Sequence, residues 1–177
     1  MAHIWFRNGE DSWSVMPIDG HAVNVSVYPP RILPDDFRFG EDVLVALIRA
    51  GSADSPEWVL LAAADGGVRV NGFAPVAGLR VLRDRDEIRA APHEPLFFST
   101  ETQARVEAFP GSERVVYCAR CRQPVEKGQM SVRCPHPRCG VWCHQTDALP
   151  CWTYAPTCAL CPQSTALDAG FEWAPEV

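Results

Sequence analysis

Cys118-Ala119-Arg120-Cys121, Cys134-Pro135-His136-Pro137-Arg138-Cys139, His144, Cys151 and Cys158-Ala159-Leu160-Cys161 set seven cysteines and one histidine in the order of zinc ligands. Each structural zinc takes four thiolate or imidazole donors, so this series counts two tetrahedral sites, and two short Cys-x2-Cys steps flanking a spread-out middle set suit interleaved ones. All eight cysteines of the chain, Cys143 included, fall between residues 118 and 161. A disulfide framework is the alternative use of so many cysteines. It needs an oxidising compartment, and Cys-x2-Cys pairs read more naturally as metal knuckles in a reduced cytosol. A segment this short cannot bury enough apolar area to fold alone, so metal is expected to supply the missing stability, on the order of 10 kcal/mol or more per site.

Working outward, the segregation of cysteine divides the 177 residues into a first domain over 1–112, a zinc module over 113–162 and a tail over 163–177. Composition is that of a globular chain, 47% hydrophobic and 21% charged, with no apolar run long enough to span a bilayer, so no membrane association is expected. Met1-Ala2-His3-Ile4-Trp5-Phe6-Arg7 lacks the basic and long apolar regions of a secretory signal, and a cytoplasmic location is expected. The net charge of −6 argues against a nucleic-acid partner. Its distribution is uneven. From Arg114 to Cys161 six basic residues (Arg114, Arg120, Arg122, Lys127, Arg133, Arg138) face two acidic ones (Glu126, Asp147). Seven ligand thiolates and two zinc dications bring that segment to about +1, against about −10 for the rest of the chain. The module is less acidic than its carrier, which hints at a partner surface of its own.

The first domain reads as all-β. Ile4-Trp5-Phe6 and Ser12 to Met16 flank Asn8-Gly9-Glu10-Asp11, a hairpin signal. Ala22 to Tyr28 alternates with period two until Pro29-Pro30 stops it. Asp42 to Ile48, Trp58 to Leu61, Val68 to Val70, Leu79 to Leu82 and Leu96 to Phe98 supply further strands at sandwich-like spacing. Leu44, Leu47 and Ile48 also fit one helix face, but the run is short and sits among strands, so strand is favoured. Phe109 to Glu113 reads as a linker into the module. In the tail, Phe171 and Trp173 either dock on the body or fray. No internal repeat is evident.

Gly66-Gly67-Val68-Arg69-Val70-Asn71-Gly72-Phe73, followed by Gly78 to Ile88, resembles the C-terminal half of a forkhead-associated domain: a strand, an Asn-Gly turn, a strand and an acidic turn in that order. The resemblance covers roughly residues 58 to 100. It implies a β-sandwich and, in that family, phosphothreonine binding through a Gly-Arg pair and a Ser-x-x-His motif, neither of which occurs in residues 20 to 58. Asn71 matches the position of a peptide-contacting asparagine, but a hairpin Asn-Gly also exists without a ligand because its turn needs positive φ. A structural sandwich is the expected role.

Two ligand lists fit the module. The first uses Cys118, Cys121, Cys134, Cys139, His144, Cys151, Cys158 and Cys161, leaving His136 and Cys143 spare; the second centres on Cys134, His136, Cys139 and Cys143, freeing His144 and Cys151. The first is preferred. Gly140 after Cys139 lets backbone amides turn toward the sulfurs, and His136 inside that loop has little room to reach another metal. The expected topology is cross-braced, with Cys118, Cys121, His144 and Cys151 on one ion and Cys134, Cys139, Cys158 and Cys161 on the other. This pattern, over about residues 115 to 162, resembles RING and PHD fingers, the six-residue gap from Cys151 to Cys158 pointing to the RING side. Prokaryotic RING-like proteins joined to forkhead-associated-like sandwiches are similar overall.

The resemblance implies a ligase of a ubiquitin-like conjugation system that has no catalytic residue of its own. Such a module docks a charged ubiquitin-conjugating-type enzyme carrying a ubiquitin-like protein and holds the thioester in a reactive pose, while the sandwich places a substrate or another subunit. Family docking positions fall on Ala119 and Arg120, on Trp152 or Trp142, and on Leu160 with Pro162. The rival expectation is a non-catalytic scaffold with both tryptophans in the core. A nucleophilic Cys143 with His144 as base is disfavoured, since neighbouring residues rarely aim at one atom. Zinc-dependent hydrolysis needs an open ligand position, which eight ligands would close.

Overall fold

The computed structural model describes residues 2–9, 12–33, 39–40, 43–51, 56–64 and 66–176, and its regular structure among them is all strand, with no helix. No helix long and apolar enough to cross a membrane occurs among those residues. Two compact units divide the chain: Met1–Thr100 with Trp173–Val177, and Glu101–Glu172.

The first unit holds β1 (Ala2–Arg7), β2 (Trp13–Ile18), β3 (Ala22–Val27), β4 (Pro30–Leu33), β5 (Val43–Gly51), β6 (Pro56–Ala62), β7 (Val68–Val70), β8 (Leu79–Leu82), β9 (Glu87–Ala90) and β10 (Leu96–Ser99). They form two five-stranded antiparallel sheets, ordered β2-β1-β10-β9-β7 and β4-β3-β5-β6-β8. Period-two patterning produces this directly: Val23, Val25 and Val27 of β3 join Ile4, Leu47, Leu60, Ile88, Leu96 and Phe98 in one core. Each such side chain contributes roughly 1.5–3 kcal/mol by leaving water.

The expected hairpin is there, with Ile4 opposite Met16, though Glu10 and Asp11 lie outside the described residues. The ambiguous run is strand β5, its expected first residue Asp42 also lying outside them. Two strands escaped the sequence reading. Pro30 opens β4 instead of only stopping β3: Pro has no N–H to give, but β4 is an edge strand and tolerates that loss. Glu87-Ile88-Arg89-Ala90 carries two charges and reads as turn, yet Ile88 and Ala90 are buried and Glu87 and Arg89 point outward.

Asn71 stands at φ 51 in the turn after β7. Its side-chain amide donates to Asp86 Oδ1 at 2.7 Å, and its carbonyl oxygen accepts from the Glu87 N–H at 2.9 Å. The second Asp86 oxygen accepts from the Arg83 N–H at 2.8 Å. Asn71 therefore works as a clamp between two turns of the sandwich.

The second unit contains β11 (Val106–Ala108), β12 (Met130–Arg133) and β13 (Trp142–His144) in one antiparallel sheet of that order. The division between units falls at residue 100, where the sequence reading set it at 112. The reason is local: Val106 to Ala108 pair with β12, and Phe109 is buried, edge-on to Trp142 at 5.0 Å. The presumed linker thus starts inside the module. The tail likewise continues the unit past Cys161. Thr165 is buried and donates its N–H to the Pro156 carbonyl, and the Glu172 N–H donates to Glu101 Oε1 at 2.6 Å, tying the last residue of the unit to its first. Trp173 then belongs to the first unit, its ring 5.9 Å from Trp5 and 6.1 Å from Phe97, with the Arg85 guanidinium 5.5 Å away.

Candidate metal centre

Two knuckles of the same construction begin and end the site. In the first, the Cys118 N–H donates to the Gln123 carbonyl at 2.9 Å and Tyr117 bridges to Pro124; in the last, the Cys158 N–H donates to the Gln163 carbonyl at 2.9 Å and Thr157 bridges to Ser164. Both run over Cys-Ala-x-Cys-x-Gln, residues 118–123 and 158–163. This short internal repeat was missed in the sequence, where the matching Ala and Gln were its signal. The turn aims backbone N–H groups at the first sulfur of each knuckle. For Cys118, burial raises the thiol pKa, but the N–H groups of Cys121, His144 and Arg120 outweigh it and bring the value down to about 6. Burial opposes ionisation of Cys158 as well, and the Leu160 N–H with neighbouring thiols lowers it. Arg122, after Cys121, sits at φ 62 and donates its N–H to the Cys118 carbonyl; Pro162 occupies the matching place and has no N–H to donate.

The middle ligands come from the small sheet. Cys134 directly follows β12 and donates its N–H to the Val141 carbonyl at 2.8 Å; the Cys139 N–H donates to the His136 carbonyl at 2.9 Å, and Gly140 turns the chain back at φ 60. His144 ends β13. Its carbonyl accepts from the Trp152 N–H at 3.0 Å, which sets Cys151 beside the imidazole.

The structure gathers these side chains into two groups whose ligand atoms lie within 4.8 Å of one another: Cys118, Cys121, His144 and Cys151, and Cys134, Cys139, Cys158 and Cys161. Each can hold one metal ion. His144 Nδ1 faces Cys121 Sγ at 3.3 Å and Cys151 Sγ at 4.0 Å, while Nε2 lies 3.0 Å from the Pro124 carbonyl. A carbonyl only accepts, so Nε2 carries the proton and Nδ1 keeps its lone pair for the thiol side. In the second group Cys134 Sγ and Cys161 Sγ are 3.5 Å apart, and Cys139 Sγ and Cys158 Sγ 3.9 Å. Both spacings far exceed a disulfide bond of about 2.05 Å, and all eight thiols are free.

Neither spare residue belongs to a group. His136 turns back into its own loop, Nδ1 accepting from the Arg138 N–H at 3.3 Å. Cys143 precedes His144 on β13 and is buried; that burial, followed by the neighbouring Cys118 and Cys158 thiols, pushes its thiol up to about 12. A neutral buried thiol is a poor nucleophile.

Of the four expected docking residues, two are exposed. Leu160 is 68% exposed and Pro162 is exposed beside it. Trp152 is fully buried in the module core and cannot meet a partner, which corrects the sequence reading: its backbone N–H is bound to His144, so the ring is drawn in under the metal loops. Arg120 is half-buried and spans the two knuckles, one guanidinium nitrogen donating to the Thr157 carbonyl at 2.9 Å and its carbon 5.6 Å from the Tyr154 ring. Tyr154, 77% exposed, was not among the expected residues; no pattern singled it out.

No family model matches the sequence. No curated protein matches it either. Among solved structures, the chain is similar to the Slr1951 protein from Synechocystis sp. at a TM-score of 0.40 and 13% identity, over 57% of this chain and 97% of that one.

Proposed function

We propose that the second unit is a RING-like two-zinc module that positions a charged conjugating enzyme of a ubiquitin-like system, with the forkhead-associated-like sandwich as carrier for a substrate or another subunit. The observation that carries this reading is the interleaving of the ligands. The first pair shares a cluster with the third and the second with the fourth, so the two sites alternate along the chain. Zinc is supported by the donors and by their spacing. Four sulfurs at about 2.3 Å from a tetrahedral ion are about 3.8 Å apart, a histidine nitrogen slightly closer to each sulfur; four of the ligand pairs stand 3.3 to 4.0 Å apart, and all pairs lie within 4.8 Å. Strand β7, the Asn71 turn, strand β8, the acidic turn and β9 follow in the order that suggested the forkhead-associated resemblance.

The surface offered to a partner is the tip of the last knuckle, Leu160 and Pro162, with Tyr154 beside it and Arg120 of the first knuckle as brace. The burial of Trp152 and the small Ala119 favour a second reading, a scaffold that binds without assisting transfer. Discharge of a thioester-charged conjugating enzyme, taken with its ubiquitin-like modifier from the genes neighbouring this one, separates them. Acceleration that Leu160→Ala abolishes while two zinc ions per chain are retained supports the ligase; binding without acceleration leaves the scaffold, and neither binding nor acceleration removes both.

A further inference from the structure

The two sheets of the first unit differ on their outer sides. On one, Trp5 and Phe97 are covered by Trp173. On the other, Trp58 and Leu60 of β6 and Leu82 of β8 belong to the core, so strand alternation turns Glu57, Val59, Leu61, Leu79 and Val81 outward. Register sets Leu61 opposite Leu79 and Val59 opposite Val81, with Ile48 of β5 opposite Val59. Leu79 is 48% exposed and Val81 52%, and Val76 stands exposed in the turn before them. Apolar cross-strand pairs on the outside of a sandwich are what a buried sheet carries.

We propose that the outer face of β6 and β8 is the contact surface between two copies of this chain. The same register carried one pair further sets Glu57 of β6 beside Arg83, one residue past β8. A two-fold axis along the strands, between β6 and β8, lays β6 of one copy over β8 of the other. Val59 then meets Val81, Leu61 meets Leu79, and Glu57 meets Arg83, each contact occurring twice. Among the described residues of β6, β8 and Arg83, this one cation and one anion on the same face select neither an acidic nor a basic stranger, but they complement each other when the face meets itself. Sheets so packed lie about 10 Å apart with both inner rows dry.

Sedimentation equilibrium of the full, zinc-loaded chain tests this. The wild type should associate as a dimer; Val81→Glu, at a half-exposed position that leaves the core intact, should raise the dissociation constant about tenfold or more. Glu57→Arg and Arg83→Glu should each weaken the dimer, and the double reversal should restore it. A chain that sediments as a monomer up to its solubility limit overturns the proposal. So does a dimer indifferent to Val81→Glu, which would use another surface.

Discussion

His144 is held at both ring nitrogens, by the Pro124 carbonyl on one side and the thiol cluster on the other, whereas His136 and Cys143 have no place in either cluster. Metal content should follow that division. His136→Ala and Cys143→Ser are expected to keep two metal ions per chain by elemental analysis of the purified protein, while His144→Ala drops to one or fewer. Loss of an ion from either spare-residue variant would reinstate the second ligand list. His3 gives a separate prediction in the sandwich. It is buried, and desolvation lowers its pKa to about 4 even though Asp84 pulls the other way. The unfolded chain, with a histidine near 6.5, then binds the extra proton first, so stability is whole above pH 6.5 and is lost progressively as the pH falls toward 4. His3→Leu should flatten that slope in a comparison of melting temperatures with the wild type at each pH; parallel slopes would refute it. The ligands were legible because only cysteine and histidine do this work at fixed spacing. The burial of Trp152 was not, since an aromatic beside a ligand reads the same whether it faces in or out.

Among the elements, the Asn71 turn bears the clearest consequence. Its amide bridges Asp86 and the Glu87 backbone while its own backbone holds positive φ. Asn71→Ala loses both bonds and strains the turn, and should destabilise the first unit by about 1–3 kcal/mol in urea unfolding. Asn71→Gly relieves the φ and keeps the loss of the bonds, so it should fall between. Strands with clean alternation, such as β3 and β7, could be read directly. Those that failed did so for physical reasons: β4 begins on a proline that only an edge strand accepts, and β9 alternates charge with small apolar residues, so half of its signal looks like turn. Strands β11 to β13 are three or four residues long, too short for a period-two pattern to show.

At the scale of the whole molecule, each unit has its own core, and none of the eight clustered ligands lies in the first. Chelation should therefore unfold the second unit alone. Circular dichroism and limited proteolysis after treatment with a thiol-binding mercurial, which displaces bound metal, and a chelator should show residues 101–172 digested and the sandwich resistant; joint loss of both would contradict two independent cores. The cysteine boundary located the module in the sequence, but it placed the division late, because β11 and Phe109 carry no metal ligand and so left no mark.

The hydrogen bond from Glu172 to Glu101 makes the metal unit a closed loop inserted in the sandwich. Synthesis from the N-terminus delivers all ten sandwich strands before any of the eight clustered ligands, and delivers Trp173 only after the last. The aromatic cap on Trp5 and Phe97 thus arrives late, at the far end of the segment that carries both ligand clusters. An excised chain with Thr100 joined to Trp173 by a short glycine-serine bridge would remove that delay and keep the cap.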